Sequence, residues 1–201
     1  TGRRGEPFPG GVGFAGRNAG AEKGLIMAEI RGIYYQMVKD VFPHIAEIVR
    51  PELAAYFEDI DASAWYDAGP YLDVLAHLRE RISPYAMSLI GSRMAEVFSE
   101  RLGTLGVTTP ADIAGRMPEL YRELIRGEGA GSWQAEEYSP GRAVFCETGI
   151  PANADLSTGA ITAGLEAVGA YNVRVTVLDD RAKGAAANRY LVEWLETNAG
   201  Q

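Results

Sequence analysis

Ser132-Trp133-Gln134-Ala135-Glu136-Glu137-Tyr138 and Ala143-Val144-Phe145-Cys146-Glu147 are two strand-like runs joined by Ser139-Pro140-Gly141-Arg142. Proline fixes φ and glycine admits positive φ, so the joint predicts a tight hairpin over 132–147. Downstream, Asp155-Leu156-Ser157 offers candidate N-caps, and Ile161, Leu165 and Val168 recur at helical spacing before Gly169, where a helix would stop. That helix also carries Gly159, Ala160, Ala163, Gly164 and Ala167, small residues that let its backbone approach a sheet closely. Tyr171 to Val177 then alternates its valines, Lys183-Gly184 supplies a turn, and Tyr190-Leu191-Val192-Glu193-Trp194 closes a second hairpin. From Pro118 to Leu195 the expected order is thus short helix, hairpin, helix, hairpin.

Upstream the pattern changes to helices. Leu25 to Ile33 reads as a short strand. Met37, Val38, Val41, Phe42 and Ile45 then lie on one helical face, with Pro43 set to kink or restart it. Pro51 begins a short helical piece with Leu53, Tyr56 and Phe57. Residues 59–66 read as a loop entering a helix near Pro70, on which Tyr71, Leu72, Leu75 and Leu78 share a face. Ser83-Pro84 is an N-cap followed by proline at N1, and its helix carries Met87, Ile90, Met94, Val97 and Phe98. Thr109-Pro110 starts a further short helix, and Pro118 one more with Leu120, Tyr121, Leu124 and Ile125. Helices first and strands later predict an α+β fold, with an N-terminal helical layer packed on a C-terminal antiparallel sheet made of hairpins with one intervening helix.

Composition narrows the function classes. The 201 residues suit one domain with a tail, and a net charge of −8 argues against nucleic acid or an anionic membrane as partner. No apolar run reaches the ~20 residues a spanning helix needs. One cysteine excludes an internal disulfide framework, so a cytoplasmic location is the simplest expectation. Residues 1–24 hold eight glycines and no amphipathic period, and are read as a flexible leader to a domain over 25–197, with Met27 a candidate translational start. Within the leader, Gly11-Val12-Gly13-Phe14-Ala15-Gly16 matches dinucleotide spacing but lacks the flanking strand and helix that motif requires.

No catalytic constellation emerges. The serines show no nucleophile-elbow motif. Cys146 sits mid-strand with no histidine near it in sequence, and reads as a buried inert thiol. His44 and His77 are isolated, and zinc needs three or four converging ligands, so no metal site is expected. Glu58, Asp59 and Asp61 lack cation-loop spacing. His77, inside Val74-Leu75-Ala76-His77-Leu78-Arg79, is read either as a structural histidine or as a ligand contact. Tyr71, Tyr85, Phe98, Tyr121, Trp133 and Phe145 fall on apolar helix faces or on the first hairpin, where they either fill a core or wall an apolar pocket. Met87 and Met94 suit both readings, because methionine fills irregular space.

The layout resembles a family found as many paralogues in myxobacteria, itself similar to the 4-vinyl reductase domain and to the haem nitric oxide/oxygen binding (H-NOX) domain. It shares their fold type with the transport-particle subunits of Golgi trafficking. The anchors are Ile30-Arg31-Gly32-Ile33, Ile60-Asp61 with Trp65-Tyr66, Leu120-Tyr121, the 132–147 hairpin, Gly159 to Gly169, and Tyr190 to Trp194. The gas-sensing relatives hold iron through a histidine shortly before the C-terminal hairpins, and a tyrosine-x-serine-x-arginine motif grips the propionates. Here Gly103 to Arg126 offers no histidine. Tyr138-Ser139-Pro140-Gly141-Arg142 is similar to the propionate motif only superficially, with its serine displaced into a hairpin turn. The resemblance therefore implies a non-enzymatic sensory or regulatory domain without haem. It would hold a small apolar or tetrapyrrole-like ligand between helices and sheet, with His77, Tyr121, Trp133 and Phe145 as the ligand-binding residues. A protein partner or a homodimer would provide the output. The alternative is an interaction module with a filled core.

Overall fold

The structure is a computed structural model that describes residues 27–150 and 153–196. The glycine-rich stretch 1–24 and its dinucleotide-like spacing lie outside the described residues. Among the described residues, two antiparallel sheets and seven α-helices build one α+β fold. β1 (Met27–Arg31) is the middle strand of the smaller sheet, between β2 (Trp65–Asp67) and β3 (Ile125–Glu128). α1 (Ile33–Val41), α2 (Ile45–Ile48), α3 (Pro51–Ala54), α4 (Ala68–Arg79), α5 (Pro84–Thr104) and α6 (Pro110–Arg122) supply the helical layer. β4 (Trp133–Ser139) and β5 (Arg142–Glu147) form the first C-terminal hairpin, followed by α7 (Ala154–Ala167), β6 (Ala170–Asp179) and β7 (Asn188–Glu196). The larger sheet has the order β4-β5-β7-β6.

Four local expectations are corrected. Pro118 does not start a helix; it lies inside α6. A proline there costs about 3 kcal/mol or more in an ordinary helix interior. A capping box at the start of α6 works against that cost, since Thr109 Oγ1 accepts from the Asp112 amide at 3.2 Å and the Asp112 carboxylate accepts from the Thr109 amide at 2.9 Å. The buried stripe Ile113, Met117, Leu120 and Tyr121 works in the same direction. Ile125 is not helical but pairs with Ile30 in β3, and Trp65-Tyr66 forms a strand rather than a loop. Both short strands take their shape from β1, whose two edges each need hydrogen-bonding partners. Arg31 and Arg126 then clasp the Trp65 ring from guanidinium carbons 4.1 Å from its centroid. Finally, α7 is capped by Asn153, whose side chain accepts from the Leu156 amide at 3.0 Å, and not by residues 155–157.

The small residues of α7 do not serve the sheet alone. A Cβ added at Gly159 would sit 1.9 Å from the Ser88 carbonyl oxygen, and one at Gly91 would sit 1.8 Å from the Leu156 carbonyl oxygen. The two glycines are reciprocal. Each opens its own helix to a backbone carbonyl of the other, and α5 and α7 cross at a separation that no larger residue permits. On the sheet side, Phe145 pairs with Tyr190 and Ala143 with Val192, all fully buried beneath the helices. Val173 and Val175 of β6 pack partly against the same core. A bulge between Ala135 and Glu137 shifts the register of β4, so that Trp133 and Tyr138 both meet inward-facing partners on β5.

Candidate functional site: an apolar cavity between helices and sheet

The core is not filled everywhere. A cavity of about 80 Å³ lies between α5, α6, α7 and the first hairpin. Met94 and Leu102 come from α5, Ile113, Met117, Leu120 and Tyr121 from α6, and Ala160, Ile161, Gly164 and Leu165 from α7. Trp133 of β4, Phe145 of β5, Tyr34 of α1 and Leu124 complete the wall. The stripe Ile113, Met117, Leu120, Tyr121 follows the i, i+4, i+7, i+8 spacing of one helical face. Gly164 helps to leave the space open, since a Cβ added there would meet nothing within 4 Å.

Polar groups are few on this wall, and they differ in their partners. The Tyr121 hydroxyl lies 2.5 Å from the Ala130 carbonyl and 2.8 Å from the Ile150 carbonyl, and accepts from the Ile150 amide at 3.1 Å. It pins together the two loops that flank the hairpin, and is spent on that. Burial holds the Tyr121 and Tyr34 phenols well above the usual tyrosine range, so both stay neutral. The Trp133 indole N–H is different. Trp133 is 9% exposed, and its Nε1 is buried with no hydrogen-bond partner. A buried donor left unmade costs about 1–3 kcal/mol, which makes it a feature that needs an explanation.

Of the four residues nominated from sequence, Tyr121, Trp133 and Phe145 meet on this one wall, and His77 does not. Nominating His77 together with Trp133 and Phe145 expects a pocket between the helix that carries His77 and the first hairpin, yet α4 contributes no lining residue. α4 instead covers β1 and α3. The His77 Nε2 lies 3.1 Å from the Ile48 carbonyl and Nδ1 lies 3.1 Å from Arg81 Nη1, so one ring nitrogen donates and the other accepts. The imidazole ties α4 to α2 and has no lone pair left for a ligand. Sequence reasoning missed Tyr34, Leu102, Ile113, Met117 and Gly164. The α6 stripe was readable from Thr109-Pro110 onward, but treating Pro118 as a helix start cut it in two.

Glu147, fully buried beside Phe145 on β5, receives hydrogen bonds at Oε2 from Ser157 Oγ at 2.9 Å, Asn188 Nδ2 at 3.0 Å and the Tyr190 hydroxyl at 2.8 Å. This network links β5, β7 and α7 beneath the sheet. Cys146 faces the opposite side of the strand, where burial and the neighbouring Glu136 carboxylate push its thiol up, away from nucleophilic character. Among the described residues no group of three or more His, Cys, Asp or Glu side chains could hold a metal ion, and no helix is long and apolar enough to cross a membrane.

Haem does not fit these residues. The chain has two histidines, and neither lines the cavity. The Tyr121 oxygen is committed to backbone, and its phenol stays protonated. Tyr138 to Arg142 forms the turn of the first hairpin; Tyr138 packs on Trp194, Arg142 pairs with Glu137 at 3.0 Å, and none of the five residues reaches the cavity wall. At about 80 Å³ the space is also far below the ~300–1,000 Å³ of pockets for drug-sized ligands.

No protein-family model matches the sequence, and no curated protein matches it significantly. Solved structures do match the fold. An H-NOX protein from S. oneidensis in the Fe(II) ligation state superposes with a TM-score of 0.63 at 9% identity, over 86% of this chain and 100% of that one. A Fe(II) unliganded H-NOX protein from K. algicida gives 0.61 at 11% identity, over 86% and 100%. An oxygen-binding H-NOX domain related to soluble guanylate cyclases gives 0.59 at 14% identity, over 83% and 93%. At such identities the likeness speaks for architecture and not for chemistry. The α+β fold of this chain is the fold of the H-NOX domains.

Proposed function

We propose that this chain is a non-enzymatic sensory or regulatory domain that holds a small apolar ligand between its helices and its C-terminal sheet. The observation that carries this reading is the cavity itself: apolar, walled by Trp133, Phe145 and Tyr121, and kept open at Gly164. Its few polar groups match the pattern of small-ligand sites, in which apolar walls supply affinity and one or two polar atoms fix orientation. Met94 and Met117 give the wall room to adapt. The H-NOX-like architecture supports a sensory role, since those domains are described in Fe(II), NO and oxygen ligation states. The residue-level resemblance to the myxobacterial paralogues and the 4-vinyl reductase domain extends the reading to bacterial cytoplasmic signalling.

A second reading is favoured by a different observation. β6 is an edge strand of the larger sheet, and Tyr171, Val177 and Leu178 on it are exposed. An open edge with apolar side chains suits strand addition by a protein partner or a second copy. It is the natural output surface of a sensor, and the whole function of an interaction module. Native mass spectrometry of protein purified from its host separates the two readings. The sensor carries a small-molecule adduct that Gly164→Leu abolishes, because the leucine side chain fills the cavity. The interaction module carries none, and Gly164→Leu leaves its partner binding unchanged.

A further inference from the structure

The wall of the cavity favours one class of ligand. Among the described residues the wall carries no arginine, lysine, histidine, aspartate or glutamate, and its two phenols are neutral. A charged ligand would lose its hydration with nothing to offset the loss. The Trp133 indole, which can only donate, stands on that wall without an acceptor. An apolar cavity of about 150 Å³ suffices for benzene, so about 80 Å³ takes a still smaller body, or one of that size once Met94 or Met117 shifts.

We infer that the ligand is a compact neutral molecule, apolar over most of its surface, with one hydrogen-bond acceptor such as a carbonyl or ether oxygen that the Trp133 N–H engages. This rests on the cavity being a ligand site. The acceptor would satisfy the Trp133 donor that the fold leaves unmade, while Phe145, Met117 and Leu165 would enclose the apolar remainder. A pure hydrocarbon would fill the same space and leave the donor unpaired. A carboxylate would meet the donor but leave its charge without a cation.

Two shape-matched probes test this: cyclopentanone, which carries an acceptor, and methylenecyclopentane, which does not. Both are titrated into the whole chain while the indole N–H resonances are followed by ¹⁵N-edited NMR. The Trp133 resonance is identified by its loss in Trp133→Phe. The expected result is that both probes bind, that only cyclopentanone moves the Trp133 N–H downfield, and that Trp133→Phe lowers the ketone-to-alkene affinity ratio about fivefold. The enlargement made by Trp133→Phe is common to both probes and cancels in that ratio. If both bind, the N–H responds to neither and the ratio is unchanged, the acceptor inference is overturned and the cavity reading stands. If neither probe binds at millimolar concentration, the cavity reading falls and the inference falls with it. Should Trp133→Phe not fold, the Trp133 resonance is identified by elimination from Trp65→Phe and Trp194→Phe, and the wild-type shifts decide between these outcomes.

Discussion

Gly159 and Gly164 sit on the same helix, five residues apart, and do opposite work. Gly159 is crowded: a single added carbon would collide with the Ser88 carbonyl of α5. Gly164 is roomy: the same carbon would touch nothing within 4 Å. One end of α7 is clamped backbone to backbone, and the next turns face a cavity. Glycine in a helix interior costs roughly 1 kcal/mol relative to alanine, so each position needs a reason to keep it. At Gly159 the reason is contact, and at Gly164 it is space. The composition of the helix hides this difference, because both appear in sequence as one stripe of small residues.

The sharpest break of this comparison is Gly159→Val. It should destabilise by at least about 3 kcal/mol, since a backbone carbonyl cannot move aside as a side chain can. An unchanged urea midpoint would show that α5 and α7 do not cross this closely. Next comes Met117→Ala, which deletes a wall residue from a region already short of atoms. Its expected cost is about 2 kcal/mol, the lower end for such truncations. A loss of 4 kcal/mol or more would mean that Met117 packs as tightly as the clamp does. Trp133→Phe should cost only about 1 kcal/mol, because the lost packing is partly offset by removing a buried donor without a partner. The smallest effect has the opposite sign: Gly164→Ala should raise stability by about 0.5–1 kcal/mol through helix propensity. Destabilisation at Gly164→Ala would place that face against neighbours and erase the contrast with Gly159.

The expectation that Gly164, like its small neighbours, lets α7 approach the sheet closely belongs to what the sequence could not resolve. Spacing puts Ile161 and Leu165 on a buried face, and the structure agrees. It cannot say whether a small residue on that face meets a neighbour or a gap, because that depends on side chains arriving from α5, α6 and β5. The hairpin at 132–147 was legible from Pro140-Gly141 and its flanking alternation, and α5 from Ser83-Pro84, because local chemistry dictates both. β2 and β3 were not, since strands of 3 and 4 residues carry too little periodicity and owe their form to β1. Tyr121, Trp133 and Phe145 were nominated as large aromatics near one hairpin, and the fold sets them around one cavity. His77 was nominated for its chemistry alone, and Ile48 and Arg81, the groups that claim its ring, lie on elements whose placement only the tertiary fold reveals.

The central position of β1 has a consequence during biosynthesis. Ala28 pairs with Gly127 and Ile30 with Ile125, so β1 waits for a partner made about a hundred residues later. At ribosomal rates of ~5–20 residues per second, that interval lasts roughly 5–20 s. Throughout it one edge of β1 stays unpaired, and α5 has not yet met α7. The nascent helical layer therefore leaves the ribosome with its core still open. It closes only when β6 and β7 arrive, so the fold stays open to chaperones and proteases until β7 has been made.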